Sequence, residues 1–177
     1  MKKTLLMAFC FVGFSVYAQD ELTDKEKAYQ DSIANLNEAS AVVAEAQKAY
    51  NAGIALFESK NYKGALAKFQ EGIDKDSSFQ AAYYNKGLAL IELKNSEDAI
   101  ATFDDLLALN KEHNKAHFQK GRAYQVNGYY NDAIESYKTS TSIDGMFFKA
   151  QYNLATAYFL VGNFAEAVNS FSKAIEI

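Results

Sequence analysis

The chain has 177 residues, about half of them apolar, with no proline, one cysteine and a net charge of −4. Aromatic residues make up 14% of it, too many for a wholly disordered chain. The lack of proline argues against a β-sandwich with proline-rich turns, and the abundance of alanine, leucine, lysine and glutamate favours helix. The acidic balance disfavours nucleic acid and anionic membrane as partners.

Residues 1–18 have the tripartite form of a secretory signal peptide. Lys2 and Lys3 precede an apolar run over residues 5–16. In Val16-Tyr17-Ala18, the first and last residues place small side chains at positions −3 and −1 of a cleavage site before Gln19. A membrane span needs roughly 20 apolar residues, so the alternative of an uncleaved anchor is disfavoured by length. The pattern predicts a periplasmic or secreted protein that does not insert into a membrane after signal cleavage.

Cleavage would also change the chemistry of the chain. Cys10 lies inside the apolar run and follows Phe9, whereas a lipoprotein signal has a small residue just before its cysteine. The mature chain is therefore expected to contain no cysteine and no disulfide. Without residues 1–18, 16 basic residues face 22 acidic ones, which leaves a net charge of −6.

Residues 19–45 form a polar leader that is expected to be partly helical. Thr23 and Glu26 form a possible capping box, which predicts a helix from about Asp24 with disorder before it. Four apolar residues and one serine then recur at alternating steps of four and three. This spacing fits a short coiled-coil seam, a helix that covers the open end of the following repeats, or a partly ordered leader. The recurring residues are Tyr29, Ile33, Leu36, Ser40 and Val43.

A repeat of 34 residues, without insertions, covers residues 46–79, 80–113, 114–147 and 148–177. Position 8 is always small: Gly53, Gly87, Gly121 and Ala155. Position 20 is always alanine: Ala65, Ala99, Ala133 and Ala167. Position 24 is always aromatic: Phe69, Phe103, Tyr137 and Phe171. The apolar spacing predicts two amphipathic helices per repeat, in which positions 8 and 20 let the backbones approach and position 24 fills the space between hairpins.

Turn residues punctuate each repeat between its two helices. The predicted turns lie at Lys60-Asn61, Lys94-Asn95, Asn127-Gly128 and Gly162-Asn163. The period, the small residues and the Ala-x3-aromatic element together resemble the tetratricopeptide repeat family. The resemblance implies an all-α fold: a right-handed α-solenoid of four helical hairpins, here with an N-terminal helical leader. The tryptophan and proline of the family pattern are missing.

The resemblance also implies a concave groove lined by the first helix of each repeat. Aromatics at position 5 and amides at position 6 suit an extended peptide, and cations in the last two repeats favour an acidic one. The implied groove residues are Tyr50, Asn51, Tyr84, Asn85, Lys115, Phe118, Gln119, Arg122, Lys149, Tyr152, Asn153 and Phe159. Chaperone-binding members of the family hold the terminal carboxylate of their ligand with lysines and asparagines at set groove positions. That arrangement is not expected here, because Tyr50 and Ile54 occupy the positions of the lysine and asparagine that the first repeat would supply.

No catalytic constellation, cofactor site or metal site is predicted. His113 and His117 are four residues apart but fall in a turn and a helix start, where solvated histidines are expected. The expected function is a non-catalytic scaffold of the cell envelope or exterior that binds a protein or peptide. The alternatives are a structural subunit of an envelope assembly and the N-terminal part of a longer repeat array. The C-terminal helix carries an apolar set, of which part is expected to pack inward on Tyr158 and the rest to be exposed. The exposed part is expected to pair with another protein, with a second copy of the chain, or with further repeats of a longer array. The apolar set is Val168, Phe171, Ala174, Ile175 and Ile177.

Overall fold

The computed structural model describes the backbone of residues 2–177 and the side chains of residues 24–177. This part of the chain is entirely helical apart from short turns. The helices are α1 (Lys2–Glu58), α2 (Tyr62–Lys75), α3 (Gln80–Glu92), α4 (Ser96–Leu109), α5 (Asn114–Val126), α6 (Tyr130–Ile143), α7 (Phe148–Leu160) and α8 (Phe164–Glu176). The chain divides into two compact units, residues 1–44 and 45–177.

Helix α1 includes the leader and the first helix of the first repeat. Residues 24–52 contain neither glycine nor proline, so nothing in this stretch ends a helix. The apolar side chains of the predicted seam are largely exposed, among them Tyr29, Leu36 and Val43. The predicted signal peptide, and the disorder expected before Asp24, lie outside the residues whose side chains are described.

Each repeat is a helical hairpin, and the predicted turns between its two helices are confirmed. Position 15 has a left-handed backbone in all four repeats, with φ of 63° at Lys60 and Lys94 and 79° at Gly128 and Gly162. Glycine adopts this conformation freely, whereas a lysine does so at a cost. The following asparagine caps three of the second helices, as where Asn61 accepts a hydrogen bond from the Gly64 amide.

The glycine at position 8 makes room for the aromatic ring at position 24 of the same hairpin. A Cβ atom at Gly53 would lie 2.6 Å from Cε1 of Phe69, and one at Gly87 would lie 2.5 Å from Cζ of Phe103. The sequence pattern predicted a close approach of two backbones at this glycine. In the structure, the nearest neighbour of the glycine is instead the aromatic side chain at position 24. In the fourth repeat position 8 is Ala155, and the corresponding ring is only half-buried rather than fully buried.

Alanines make the contact between successive hairpins. Positions 3 and 10 of the last three repeats have no exposed surface: Ala82, Ala89, Ala116, Ala123, Ala150 and Ala157. Because these side chains are small, the second helix of one hairpin packs closely on the first helix of the next. The core is therefore a continuous series of similar layers, which is the arrangement of a solenoid.

Helix α8 ends the series with a largely uncovered apolar face. Val168 is 65% exposed, whereas Ile134 at the same repeat position is 6% exposed; Ile175 is 84% exposed, whereas the equivalent Leu107 is 9% exposed. The predicted exposure of these isoleucine and valine side chains is confirmed. Ala174 is buried, which agrees with the expectation that part of the apolar set packs inward.

Candidate binding groove

The rings at position 5 pack inward against two other rings of their own repeat. Tyr50 lies 5.8 Å from Phe69 and 5.0 Å from Phe79, measured between ring centroids. The same contacts recur in the next two repeats: Tyr84 with Phe103 and His113, and Phe118 with Tyr137 and Phe147. The positions of these rings are therefore fixed by the core beneath them, and in the predicted groove they would form the floor.

Amides at position 6 link neighbouring repeats through the hydroxyl groups of these tyrosines. The Nδ2 atom of Asn85 donates to the hydroxyl oxygen of Tyr50 at 3.0 Å. The Nε2 atom of Gln119 donates to the hydroxyl oxygen of Tyr84 at 3.3 Å. Two of the predicted groove amides thus already have a partner inside the protein, and we call this series of bonds the tyrosine–amide ladder.

The ladder stops at the junction between the third and fourth repeats. Position 5 of the third repeat is Phe118, which has no hydroxyl group. Asn153, the amide at position 6 of the next repeat, is half-buried and makes no side-chain hydrogen bond with the described residues. At the other end of the series, Asn51 is exposed and accepts a hydrogen bond from Nε2 of Gln47.

The cationic side chains predicted for the groove are all exposed. Arg122 is held in place because its Nη1 atom donates to Oε1 of Gln119 at 2.8 Å. Lys115 and Lys149 form no ion pair within the described part of the chain. All three cations are therefore available to an anionic ligand, and Arg122 is the one whose direction is fixed.

Exposed aromatic rings gather in the fourth repeat. Tyr152 is 49% exposed and packs between Phe148, at 6.1 Å, and Phe171, at 5.6 Å. Phe159 is 57% exposed and lies 5.6 Å from Phe164. Tyr152 and Phe159 were predicted from the sequence, whereas Phe148 and Phe164 were missed. Their aromatic character at positions 1 and 17 was the available signal.

Two predicted groove residues offer little surface to a ligand. Phe118 is 6% exposed and Gln119 is 8% exposed, because the ring contacts and the ladder hold them in the core. Tyr50, Tyr84 and Asn85 are half-buried for the same reason. The structure thus brings the exposed members of the predicted set together mainly on the last two repeats.

His113 has a structural task at the start of α5. Its Nδ1 atom accepts a hydrogen bond from the Ala116 amide at 3.1 Å, and its ring stacks on Tyr84. Burial lowers the pKa of His113, and Lys115 and His117 lower it further. His117 contacts the carbonyl oxygen of Lys111.

Within the described residues, no group of three or more histidine, cysteine, aspartate or glutamate side chains is arranged to hold a metal ion. Nor does any helix, over the same part of the chain, have the length and apolarity that a membrane span requires.

Four stacked helical hairpins define the class of helical-repeat proteins. Models of the family described as "Tetratricopeptide repeat" match residues 50–116, 84–144 and 148–177. These matches cover more than half of the sequence, so the chain belongs to the tetratricopeptide repeat family. The family fold is a non-catalytic protein-interaction scaffold. No curated protein matches the sequence.

Solved structures show the same architecture. MamA is 25% identical with a TM-score of 0.72, over 86% of this chain and 92% of that one. The first tetratricopeptide domain of Spaghetti (RPAP3), bound to the HSP90 peptide SRMEEVD, is 21% identical with a TM-score of 0.66. The match covers 68% of this chain and 95% of that domain. YrrB, described as having an unusual peptide-binding site, is 22% identical with a TM-score of 0.67. The match covers 82% of this chain and 81% of that one.

Proposed function

We propose that this protein is an exported, non-catalytic scaffold that binds an extended protein segment or peptide in the groove of its last two repeats. The observation that carries the proposal is that exposed aromatic rings and free cations occur together on the first helices of the last two repeats. Tyr152 and Phe159 supply apolar area, while Lys115, Arg122 and Lys149 supply positive charge. Aromatic residues and arginine are the side chains that most often dominate binding energy at interfaces.

The first two repeats are less suited to the same task. Their position-5 tyrosines and the amide of Asn85 are engaged in the ladder, and their exposed charges at position 13 are the acidic Glu58 and Glu92. An anionic segment is therefore attracted to the third and fourth repeats and repelled by the first two. This asymmetry gives the ligand a preferred place along the groove.

Two structural neighbours support a peptide ligand by analogy. Spaghetti (RPAP3) is solved with an HSP90 peptide whose sequence, SRMEEVD, is acidic toward its end, and YrrB is described as having a peptide-binding site. Identities of 21% and 22% carry the fold alone. The acidic preference proposed here rests instead on the charges of this chain.

A peptide library tests the proposal directly. Heptapeptides with free carboxyl ends are selected on the mature protein, and affinities are measured by fluorescence anisotropy at 50 and 300 mM salt. We expect acidic sequences to be enriched and their binding to weaken with salt, because screening reduces charge–charge attraction. Arg122→Ala should weaken binding, whereas Lys63→Ala removes the same charge from the exposed surface of α2, outside the groove, and should not. Selection of basic peptides, or salt-independent binding, contradicts the proposal.

Export is proposed from the N-terminal sequence. Lys2, Lys3, the apolar residues 5–16 and the site at Val16-Tyr17-Ala18 support a cleaved signal peptide. The intact mass of the protein recovered from the envelope or medium should correspond to a chain that begins at Gln19. Recovery of a chain that retains Met1 would contradict cleavage and favour an anchor.

A second candidate function, a structural subunit, is favoured by the exposed face of α8. Val168 and Ile175 together present two large apolar side chains whose counterparts in internal repeats are covered. Burying such a side chain is worth roughly 1.5–3 kcal/mol, so a partner at this face would gain appreciable free energy. Light scattering after size exclusion distinguishes the candidates: a defined oligomer that Val168→Asp converts to monomer supports the subunit, and a wild-type monomer counts against it.

A further inference from the structure

We propose that the cavity between α2, α3 and α4 is a second binding site, for a small zwitterionic ligand of the amino-acid type. The cavity has a volume of about 490 Å³. Sites for small molecules have volumes of roughly 300–1,000 Å³. Lysine, aspartate, threonine and aliphatic side chains of the first two repeats line the cavity. The proposal is independent of the peptide groove, which was assigned to the last two repeats.

The cavity and the predicted groove use opposite sides of α3. Lys86 and Leu90, at positions 7 and 11 of the second repeat, line the cavity. The groove residues Tyr84 and Asn85 are at positions 5 and 6. A helix turns by about 100° per residue, so the mean directions of the two pairs differ by roughly 170°. A ligand in the cavity therefore does not compete with a peptide in the groove.

The next junction along the array shows which group Lys86 lacks. Lys120 has the same repeat position, and its Nζ atom lies 2.5 Å from Oδ1 of Asp104, at position 25 of the preceding repeat. The same Nζ atom lies 5.5 Å from the centroid of the Tyr124 ring. A lysine at position 7 is thus paired with a carboxylate of the preceding hairpin where the sequence supplies one.

At the first junction the sequence supplies no such carboxylate. Position 25 is Gln70, whose Nε2 atom donates to Oδ1 of Asp74 in the same helix. Lys86 is half-buried, yet it forms no ion pair with any residue that the structure describes. Water screens a partly buried charge less than an exposed one, so an anion bound there gains more free energy. A carboxylate of the ligand can therefore take the place that Asp104 has at the next junction.

Two aspartates of α4 bring the opposite charge to the same cavity. Asp98 and Asp105 line it together with Lys63 and Lys86, and none of these four residues forms an ion pair within the described chain. An anion alone would be repelled by the aspartates, and a cation alone by the lysines. A ligand that carries one ammonium and one carboxylate group complements both signs of charge.

A buried hydroxyl group in the cavity also lacks a partner inside the protein. Thr102 is 3% exposed, lines the cavity and makes no side-chain hydrogen bond with the described residues, whereas Ser136 at the same repeat position donates to the carbonyl oxygen of Asp132. No side-chain oxygen of the described residues is both unbonded and fully enclosed, so the Thr102 hydroxyl is open to the cavity. A ligand group that bonds this hydroxyl recovers a hydrogen bond that the fold leaves unmade.

Aliphatic side chains indicate what the rest of the ligand is. Leu66 of α2 and Leu90 of α3 line the cavity between the charged groups. An apolar ligand side chain that covers them would leave water, which is favourable in rough proportion to the area buried. An aliphatic amino acid combines this side chain with both charges, so L-leucine is the probe of choice.

Isothermal titration calorimetry with three related probes tests the proposal. L-leucine carries both charges, N-acetyl-L-leucine lacks the ammonium group and L-leucinamide lacks the carboxylate. We expect L-leucine to bind with a Kd of about 1 mM or tighter, and each of the other two to bind at least about tenfold more weakly, because a hydrogen bond to a charged group is worth that factor. The dipeptide leucyl-leucine separates two sources of the same chemistry. Tighter binding than L-leucine identifies the termini of a short peptide and weaker binding a free amino acid, and either supports the proposal.

Three substitutions assign the binding to this cavity. Gln70→Glu places a carboxylate at the repeat position of Asp104 and should weaken L-leucine by about tenfold, because Lys86 gains an internal partner. Thr102→Val should weaken it by about threefold without lowering the melting temperature, because no internal hydrogen bond is lost. Lys75→Gln is the matched control: it removes a positive charge from the end of α2 outside the cavity and should change the affinity less than about twofold.

Lys86→Gln keeps the test decisive if Gln70→Glu fails to fold, and it should also cost about tenfold. The proposal is overturned if neither L-leucine nor leucyl-leucine binds saturably, or if N-acetyl-L-leucine and L-leucinamide bind as well as L-leucine. Affinities of Lys86→Gln and Thr102→Val within about twofold of wild type also overturn it. Peptide binding in the groove is a separate measurement, which Lys86→Gln should leave unchanged. Failure of the cavity therefore leaves the proposed function standing, and failure of the groove leaves the cavity to be judged by L-leucine alone.

Discussion

The close contact between the glycine at position 8 and the buried ring at position 24 gives the sharpest test of the fold. A methyl group added at Gly87 would lie 2.5 Å from Cζ and 2.6 Å from Cε1 of Phe103. Carbon atoms in favourable contact are about 3.5–4.0 Å apart, so the ring would have to retreat by about 1 Å. Phe103 has no exposed surface and therefore no free space to enter.

Two opposing effects set the size of the expected loss for Gly87→Ala. Overpacking of a filled core costs about 1–3 kcal/mol. Alanine in a helix interior gains about 0.5–1 kcal/mol over glycine. The net result should be a loss of about 1–2 kcal/mol in the free energy of unfolding, because the contact is severe and the ring is enclosed.

Urea unfolding followed by circular dichroism measures this loss. Gly72→Ala is the matched control, since it is also a buried helical glycine but its new methyl group would have the carbonyl oxygen of Ala46 as its nearest neighbour, at 3.4 Å. That variant should match or exceed wild-type stability. Adding Phe103→Leu to Gly87→Ala should recover part of the loss, because the smaller side chain leaves room. The reasoning is refuted if Gly87→Ala is as stable as Gly72→Ala.

Three further outcomes are expected. Both Lys94 and Gly128 have a left-handed backbone, which favours glycine. In urea titration, Lys94→Gly should therefore raise the free energy of unfolding by about 0.5–1 kcal/mol, and Gly128→Ala should lower it by about 1 kcal/mol. Equal stabilities of the two variants would contradict this preference. Burial lowers the pKa of His113 from its ordinary 6.5, so the contribution of this residue to stability is complete above that pH and is lost as the pH falls through the lowered value. On acidification, the melting temperature should therefore drop more in wild type than in His113→Asn, which keeps a capping side chain. Equal drops would refute the stabilising role of the neutral histidine. In hydrogen exchange on dilute monomer, residues 168–177 should be the least protected helical segment of the repeats (residues 46–177). Protection equal to that of residues 99–107 would show that this end is covered.

The sequence was informative about the backbone because the repeat fixes its register. A constant period of 34 residues located every hairpin turn from position 46 onward, including the left-handed residues at Lys60 and Lys94, where glycine is absent. The junction at residue 46 was less visible. A helix end needs a stop signal, and residues 24–52 contain no glycine or proline to supply one.

The groove was only partly predictable, because its side chains have partners 35 residues away. The repeat pattern placed Tyr84 and Gln119 on the same surface, but not their mutual hydrogen bond. Nor did it show that Phe118 is in the core, since burial at position 5 depends on rings from positions 24 and 34. Nor did it show that the Asn85 and Gln119 amides are bonded to tyrosines of the preceding repeat while the Asn153 amide is not.

The alanines buried between hairpins give every internal junction the same small side chains at positions 3 and 10. Each internal junction presents Ala at position 3 and Ala at position 10 to the helix before it, whichever repeat that helix belongs to. Removing residues 80–113 in frame would bring Ala116 and Ala123 against α2 in place of Ala82 and Ala89. The alanine side of the junction would be kept, so we expect the chain to tolerate the loss or duplication of a whole hairpin. The length of the proposed groove is thus set by the number of repeats.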